Sequence, residues 1–537
     1  MKRACCARGK RLLGSLLPLF SLASTASAVE QLTLTDVQTI LAQGVSYAVK
    51  NNPNAVLAVL DREGFVLGVW NVAGGTDPSE GVIAGAVSRG GTAAALSSKQ
   101  NAFTSRTAGY IIQQHFPPGV RNTPPGPLVG VGLSNLYYSD VNRFKQIPAG
   151  FNPLVVATPF QSPGARAPGV SQTSLADSPG GVPLYKNGEL VGGIGVTGDG
   201  SPSNLSPIAA VLDGETRLTS TLGFKSTRDL DEEVALAAQS GYRPSAGILA
   251  TNVLLGGIRI PYVATELKRF PEPSGVQPLG TVGTEVAGYT VQASPALYPY
   301  ESTTLGGVAG EIRQVIRPDP IAGKIGTANR LTEAEVRAIL TLAAQRCATT
   351  RAGIRLPLGT RAKTFISVVN NPNADGVAPS VLGVFRVGEA TMFSWDVSVQ
   401  KARTALFFSS NQKAMSCRAV GFLAQRYFPP GLDGRPWGPL FGFQEAVSVA
   451  GAPGTGEHPG NPNLPNGITI FPGGLPLYRN GELVGAIGVS GDGVDQDDLI
   501  TASGCANFLA PKSIRSDNFI YRGARLPYVK FPRNPED

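Results

Sequence analysis

VPLYKNGELVGGIGVTGDG, residues 182–200, and LPLYRNGELVGAIGVSGDG, residues 475–493, are identical at 15 of 19 positions. Each places an Asn-Gly pair, 187–188 or 480–481, between two apolar runs. Asn-Gly suits the two-residue turn that joins antiparallel strands, so each stretch predicts a β-hairpin. Three further blocks recur in the same order around this one. LTLTDVQTIL from Leu32 returns as LTEAEVRAIL from Leu331. SSKQNAFTSRTAGYIIQQHFPPG from Ser97 returns as SSNQKAMSCRAVGFLAQRYFPPG from Ser409, with 11 of 23 positions identical. GIRIPYV from Gly257 returns as GARLPYV from Gly523. Four ordered matches imply a tandem duplication, and a repeat of this length governs the whole fold.

Each copy reads as helix, hairpin, helix, hairpin, helix. Thr33 with Asp36, and Thr332 with Glu335, have capping-box spacing, and Val37, Ile40, Leu41 and Val45 recur at helical intervals. AVLAVLD and FVLGVW flank Arg62-Glu63-Gly64 as a second hairpin. The second block is expected to be a helix, stopped by Pro117-Pro118-Gly119 or Pro429-Pro430-Gly431, because proline removes a donor and clashes with the preceding turn. The fold class is α+β, two tandem modules, each an antiparallel sheet with packed helices and related by a pseudo-two-fold. The expected boundaries are a signal peptide over 1–28, a first module over 29–264 with an insertion at about 201–227, a linker over 265–328 rich in Pro, Gly and Thr, and a second module over 329–537.

The opening MKRACCARGKRLLGSLLPLFSLASTASA has a basic head, a short apolar run and a small-residue end, the layout of a secretory signal cleaved after Ala28. Gly14, Ser15 and Pro18 break the apolar run, which is shorter than the roughly 20 residues needed to span a bilayer. The signal holds five of the 46 basic residues and none of the 38 acidic ones, so most of the +8 formal charge belongs to targeting. Without clustered Lys/Arg and interleaved aromatics, nucleic acid is not an expected partner. A periplasmic or secreted location follows, with no membrane span after cleavage. Cys347, Cys417 and Cys505 remain, an odd number that excludes a disulfide framework.

The string FPGGLPLYRNGELVGAIGVSGDGVDQDDLITASG, residues 471–504, resembles the signature of the GlcG/HbpS family, also called the domain of unknown function 336. VQKARTALFF, from Val399, is similar to that family's central Lys-Ala-x-Thr-Ala helix. The first copy departs from the pattern, with Arg89-Gly-Gly-Thr92 in place of Lys401-Ala-Arg-Thr404. The resemblance implies a small α+β domain that forms symmetric oligomers, linked in some members to haem binding and extracellular redox sensing. Two fused copies would then form a pseudo-symmetric dimer within one chain.

A haem iron takes an axial donor from His, Cys, Met or Tyr. The candidate cofactor-binding residues are His115, its counterpart Tyr427, and Thr92 and Thr404 on the central helices. His115 also suits a plain helix-end role beside the last carbonyls, and a helix-interior Thr also suits plain packing. His458 falls in a long polar loop. With two histidines in different contexts, a three-histidine zinc site is excluded. Gly193-Ile-Gly195-Val-Thr-Gly198 matches the dinucleotide fingerprint in letters only, because its glycines lie inside a strand. Asp495, Asp497 and Asp498, matched by Asp229, Asp231 and Glu232, read as a helix start stabilised by acidic side chains, with surface metal capture as the alternative. No nucleophile, base and orienter come together, so binding is favoured over catalysis. The expected function is binding or sensing of haem or a related tetrapyrrole outside the cytoplasm. Its alternatives are an accessory or structural subunit of an extracellular complex, homo-oligomeric or with a protein partner, and a pocket enzyme.

Overall fold

A computed structural model describes residues 29–113, 115–129, 176, 178–199, 227–295, 300–357, 359–441, 464 and 468–530. The signal segment 1–28, the inserted stretch 201–226 and His458 lie outside the described residues.

In the first half, α1 (Leu34–Asn51) leads into β1 (Val56–Asp61) and β2 (Val66–Asn71). Then come α2 (Glu80–Leu96), α3 (Ser105–Ile111), β3 (Gly181–Lys186), β4 (Glu189–Thr197) and α4 (Leu230–Ala238). The capping box that opens α1 forms as expected, with Asp36 N donating to Thr33 Oγ1 at 3.2 Å. The sheet is antiparallel in the order β3-β4-β1-β2, continued by β5 (Thr284–Glu285). Val56, Ala58 and Leu60 of β1 pack towards α2, whereas Leu57 and Val59 join the core with α1 and α4. Alternation along a strand thus puts apolar side chains on both faces, and helices cover both.

The second half begins with a hairpin, β6 (Glu301–Leu305) and β7 (Val308–Gln314), followed by α5 (Glu333–Thr349). It continues through β8 (Phe365–Asn370), β9 (Val381–Val387), α6 (Phe393–Phe407), α7 (Cys417–Leu423), β10 (Gly474–Arg479), β11 (Glu482–Ser490) and α8 (Val494–Gly504). Its sheet runs β10-β11-β8-β9-β7-β6, again antiparallel. The hairpin and first-strand registers correspond between halves: Ala58 faces Gly195 as Ser367 faces Gly488. Asn187 and Gly188 have φ of 53° and 81°, and Asn480 and Gly481 have 52° and 82°. Both Asn-Gly turns therefore use the doubly positive φ that the sequence implied.

Two expectations change. The second block is not one helix. Only Ser105–Ile111 and Cys417–Leu423 are helical, because Ser98 and Ser410 hydroxyls draw the following backbone N–H groups into turns and Thr104 and Ser416 start new helices. His115 consequently lies beyond the helix, not at its end. The segment 265–328 is also more than a linker, since it supplies β5 to the first sheet and the β6–β7 hairpin to the second. An open sheet edge leaves N–H and C=O groups unpaired, and these strands cover β2 and β9.

The halves meet along a seam built largely by residues 350–364, a connection between α5 and β8 much longer than residues 52–55 at the same place in the first half. Ile354 joins the core of the first half. Asn101 Nδ2 donates to Ile354 O at 3.1 Å, Ser98 Oγ to Arg355 O at 2.8 Å, and Arg355 Nη1 to Ser97 O at 2.8 Å. Asp492 holds the loop from the other side, accepting from Gly353 N at 3.1 Å and Leu356 N at 3.0 Å. Cys347, Cys417 and Cys505 are buried, and none of the three is in a disulfide among the described residues.

Candidate functional site

The central helix of each half carries one buried cation aimed at the acidic start of the last helix. Lys401 Nζ lies 2.8 Å from Asp497 Oδ2 and donates to Val489 O at 2.7 Å. Arg89 Nη1 lies 2.6 Å from Asp231 Oδ2 and donates to Val196 O, the matching carbonyl. A second pair sits beside each. Arg106 Nε and Nη2 reach Glu232 at 2.7 and 3.0 Å, and Arg418 Nε reaches Asp498 at 2.7 Å. Burial pushes the Asp497 carboxyl up to about 6 and that of Asp231 up to about 7, even though Lys401 and Arg89 pull the other way. The acidic residues are thus mainly ion-pair partners of the helices they face. Capping survives at Asp229, which accepts from Glu232 N at 2.9 Å, whereas α8 starts at Gly493 with no side-chain cap. Carboxylates of Asp199, Asp229 and Asp231 approach within 4.8 Å of one another, but Asp231 is already committed to Arg89 and to Asn52.

At the seam, a cavity of about 660 Å³ opens between residues 124–129 and 254–256 of the first half and α7, the 470–472 segment and the start of α8 in the second. Leu254, Ile354, Phe422, Ile470, Phe471 and Val494 give it an apolar wall, and Arg351, Arg418 and Lys530 place cations around it. Arg418 and Lys530 both engage Asp495. A smaller chamber of about 50 Å³ lies inward, sharing Ile354, Phe471 and Val494 with the larger one and bordered by Asp492 and Asp497. Burial raises the Asp492 carboxyl to about 6, against Arg355 and the loop N–H donors.

None of the four expected ligand residues lines the large cavity. His115 and Tyr427 come together across the seam, their rings stacked with centroids 6.0 Å apart. His115 Nδ1 lies 3.1 Å from Thr123 O and Nε2 lies 2.5 Å from Asp433 Oδ1, so both ring nitrogens are engaged. Thr92 and Thr404 are fully buried, and their hydroxyls accept from Ala176 N at 2.7 Å and Thr469 N at 2.9 Å. They tie the chain entering the second hairpin to the central helix, the same task at matching positions. Sequence reasoning missed Ile354, Arg355 and Asp492. The available signal was the extra length between the first helix and first strand of the second half.

Each half is thus an antiparallel sheet with packed helices and a central-helix cation locked to an acidic helix start. The resemblance to the GlcG/HbpS family holds for the second half: residues 365–506 match the family model described as haem degrading protein HbpS-like. Among curated proteins, an uncharacterised 15.0 kDa protein of Citrobacter freundii is 55% identical over 40 residues, 7% of this chain and 28% of that protein. The match thus spans under a third of that relative. Similar solved structures include a PduOC–haem complex (19% identity, TM-score 0.23, 34% of this chain and 98% of that one). Klebsiella pneumoniae ORFY (21%, 0.23, 34% and 94%) and HbpS (20%, 0.21, 35% and 98%) are others. Among the described residues no helix is long and apolar enough to cross a membrane.

Proposed function

We propose that this chain is an exported protein that binds haem or a related tetrapyrrole in the cavity between its two halves. The observation that carries the reading is the cavity itself. Its volume of about 660 Å³ falls in the roughly 300–1,000 Å³ range of small-ligand sites, which are mostly apolar with a few placed polar groups. The family match over residues 365–506 supports the ligand class. Phe422, Ile470, Phe471 and Val494 would remove water from the macrocycle faces, and Arg351 and Lys530 would pair with its carboxylates. Haem supplies a redox-active iron, and Gln425 brings a side-chain amide to the lining. His115 would serve the iron only by giving up Asp433.

Haemin titrated into the mature protein at micromolar concentration should produce a Soret band. Phe422→Arg, which puts a charge and added bulk into the cavity, should weaken binding at least tenfold, whereas Thr404→Ser should not. Absence of any spectral change with haemin would remove this function.

The matching strand orders and buried ion pairs support reading the halves as diverged copies that pair within one chain. Fusion makes that pairing intramolecular. The signal-like first 28 residues support export. Exported protein should have the intact mass of a chain beginning at Val29, and a mass that retains residues 1–28 would count against the location.

A further inference from the structure

A third seam cavity, of about 50 Å³, shares Arg355 and Thr391 with the inner chamber but no lining residue with the large cavity, and has a different character. Four cations line it, Arg62, Lys99, Arg355 and Arg386, against two carboxylates, Glu189 and Glu389. Lys99 and Glu189 cancel each other at 2.6 Å. Arg355 is 5% exposed, and its terminal nitrogens donate to Ser97 O and Glu389 O. Its Nε, like the Nε of Arg62, is buried with no hydrogen-bond partner among the described residues. Two unmatched guanidinium donors beside one cavity are costly unless a ligand accepts from them. The wall also includes Ala390, Thr391 and Met392, the residues leading into the 15-residue helix α6, whose N-terminus has no side-chain cap. Ser394 N and Trp395 N donate to Thr391 O and Met392 O at 3.0 and 3.1 Å, so this end contributes the positive pole of the helix dipole rather than a set of free donors. Arg386 is held by Glu311 at 3.2 Å and donates to Ala390 O, and burial pushes it down to about 10 with Glu311 opposing.

We propose that this cavity binds a small oxyanion, either a tetrahedral phosphate or sulfate or the carboxylate of a one- or two-carbon acid. The size sets that limit. A volume of about 50 Å³ is less than twice the roughly 30 Å³ share of one water in the liquid, which excludes nucleotides and macrocycles. Arg62, Lys99 and Glu189 come from the first half and Arg355, Arg386 and Glu389 from the second, so the anion would tie the halves together and its binding would be linked to their docking.

The test uses the full mature chain. Thermal unfolding and calorimetric titration are run with sodium phosphate, sulfate and formate, each against sodium chloride at equal ionic strength. At least one oxyanion should raise the unfolding midpoint saturably above the chloride control, and the three arms tell tetrahedral from planar chemistry. Arg62→Gln, at a part-exposed position, should weaken that affinity at least tenfold. Thr391→Asp, which puts a tethered carboxylate at the helix start, should remove the response while raising the midpoint in chloride alone. No rise beyond chloride with any of the three, or a rise that both Arg62→Gln and Thr391→Asp leave unchanged, would overturn the proposal. Neither outcome depends on whether haemin binds.

Discussion

Replacing Lys401 with methionine is expected to destabilise the protein by about 3–5 kcal/mol at pH 8, the usual cost of removing one partner from a buried ion pair. Lys401 is fully buried, and Asp497 would be left facing Val489 O and the wall of the inner chamber without its counter-ion. The loss should shrink on acidification. The folded-state pKa of Asp497 is raised to about 6, above the ordinary 3.8, so the folded chain holds the extra proton between those values. Stability from this group is therefore present at low pH and lost as pH rises through about 6. Without Lys401 the carboxyl moves higher still, and the deficit measured by denaturant unfolding should be larger at pH 8 than at pH 5. Arg89→Met should behave in the same way through Asp231, whose carboxyl stands at about 7. An equal deficit at both pH values would mean that Asp497 stays ionised throughout. Replacing Lys401 and Asp497 together by methionine and leucine should recover much of the loss, because no lone charge is then buried.

The same pair shows how much of the structure was legible beforehand. Hairpins, first helices and the α+β class follow from local signals: Asn-Gly turns, capping boxes and apolar spacing act within a few residues. The Lys401–Asp497 contact joins positions 96 residues apart, and nothing local announces it. Arg89 in place of Lys401 looks like a departure from the pattern, yet geometry makes the two equivalent, since each cation meets the matching aspartate and the matching carbonyl. The segment 265–328 misled for a related reason. Its Pro, Gly and Thr content is that of a connection, and only the need to cover β2 and β9 turns parts of it into strands. The surroundings of the candidate ligands are set by tertiary contacts as well. His115 is drawn to Asp433 and Tyr427, and the seam cavity is formed by stretches that are far apart in the chain.

Glycines along β4 and β11 explain why the second hairpin is the part of the sequence that repeats most faithfully, and they carry the other large expected effect. A Cβ at Gly195 would overlap the carbonyl oxygen of Ala86 on α2, and a Cβ at Gly488 would overlap that of Ser398 on α6. Both obstacles are helix backbone, which cannot swing aside as the end of a side chain does. Each central helix therefore lies directly on its strand, and that closeness is what brings Arg89 and Lys401 within reach of Asp231 and Asp497. Two residues earlier the halves differ as a matched set. Gly193 faces the Gly90 carbonyl in the first, whereas the second has Ala486 on the strand and Ala402 on the helix at the corresponding positions. Gly195→Ala and Gly488→Ala should each cost about 1–3 kcal/mol, towards the upper end because backbone must move. Ala486→Gly, at a place already spaced for a methyl group, should cost only about 1 kcal/mol. Urea unfolding midpoints of the three variants decide the matter. If Gly488→Ala proves as mild as Ala486→Gly, the helix is not seated on the strand as described, and the Lys401–Asp497 pair loses its structural support.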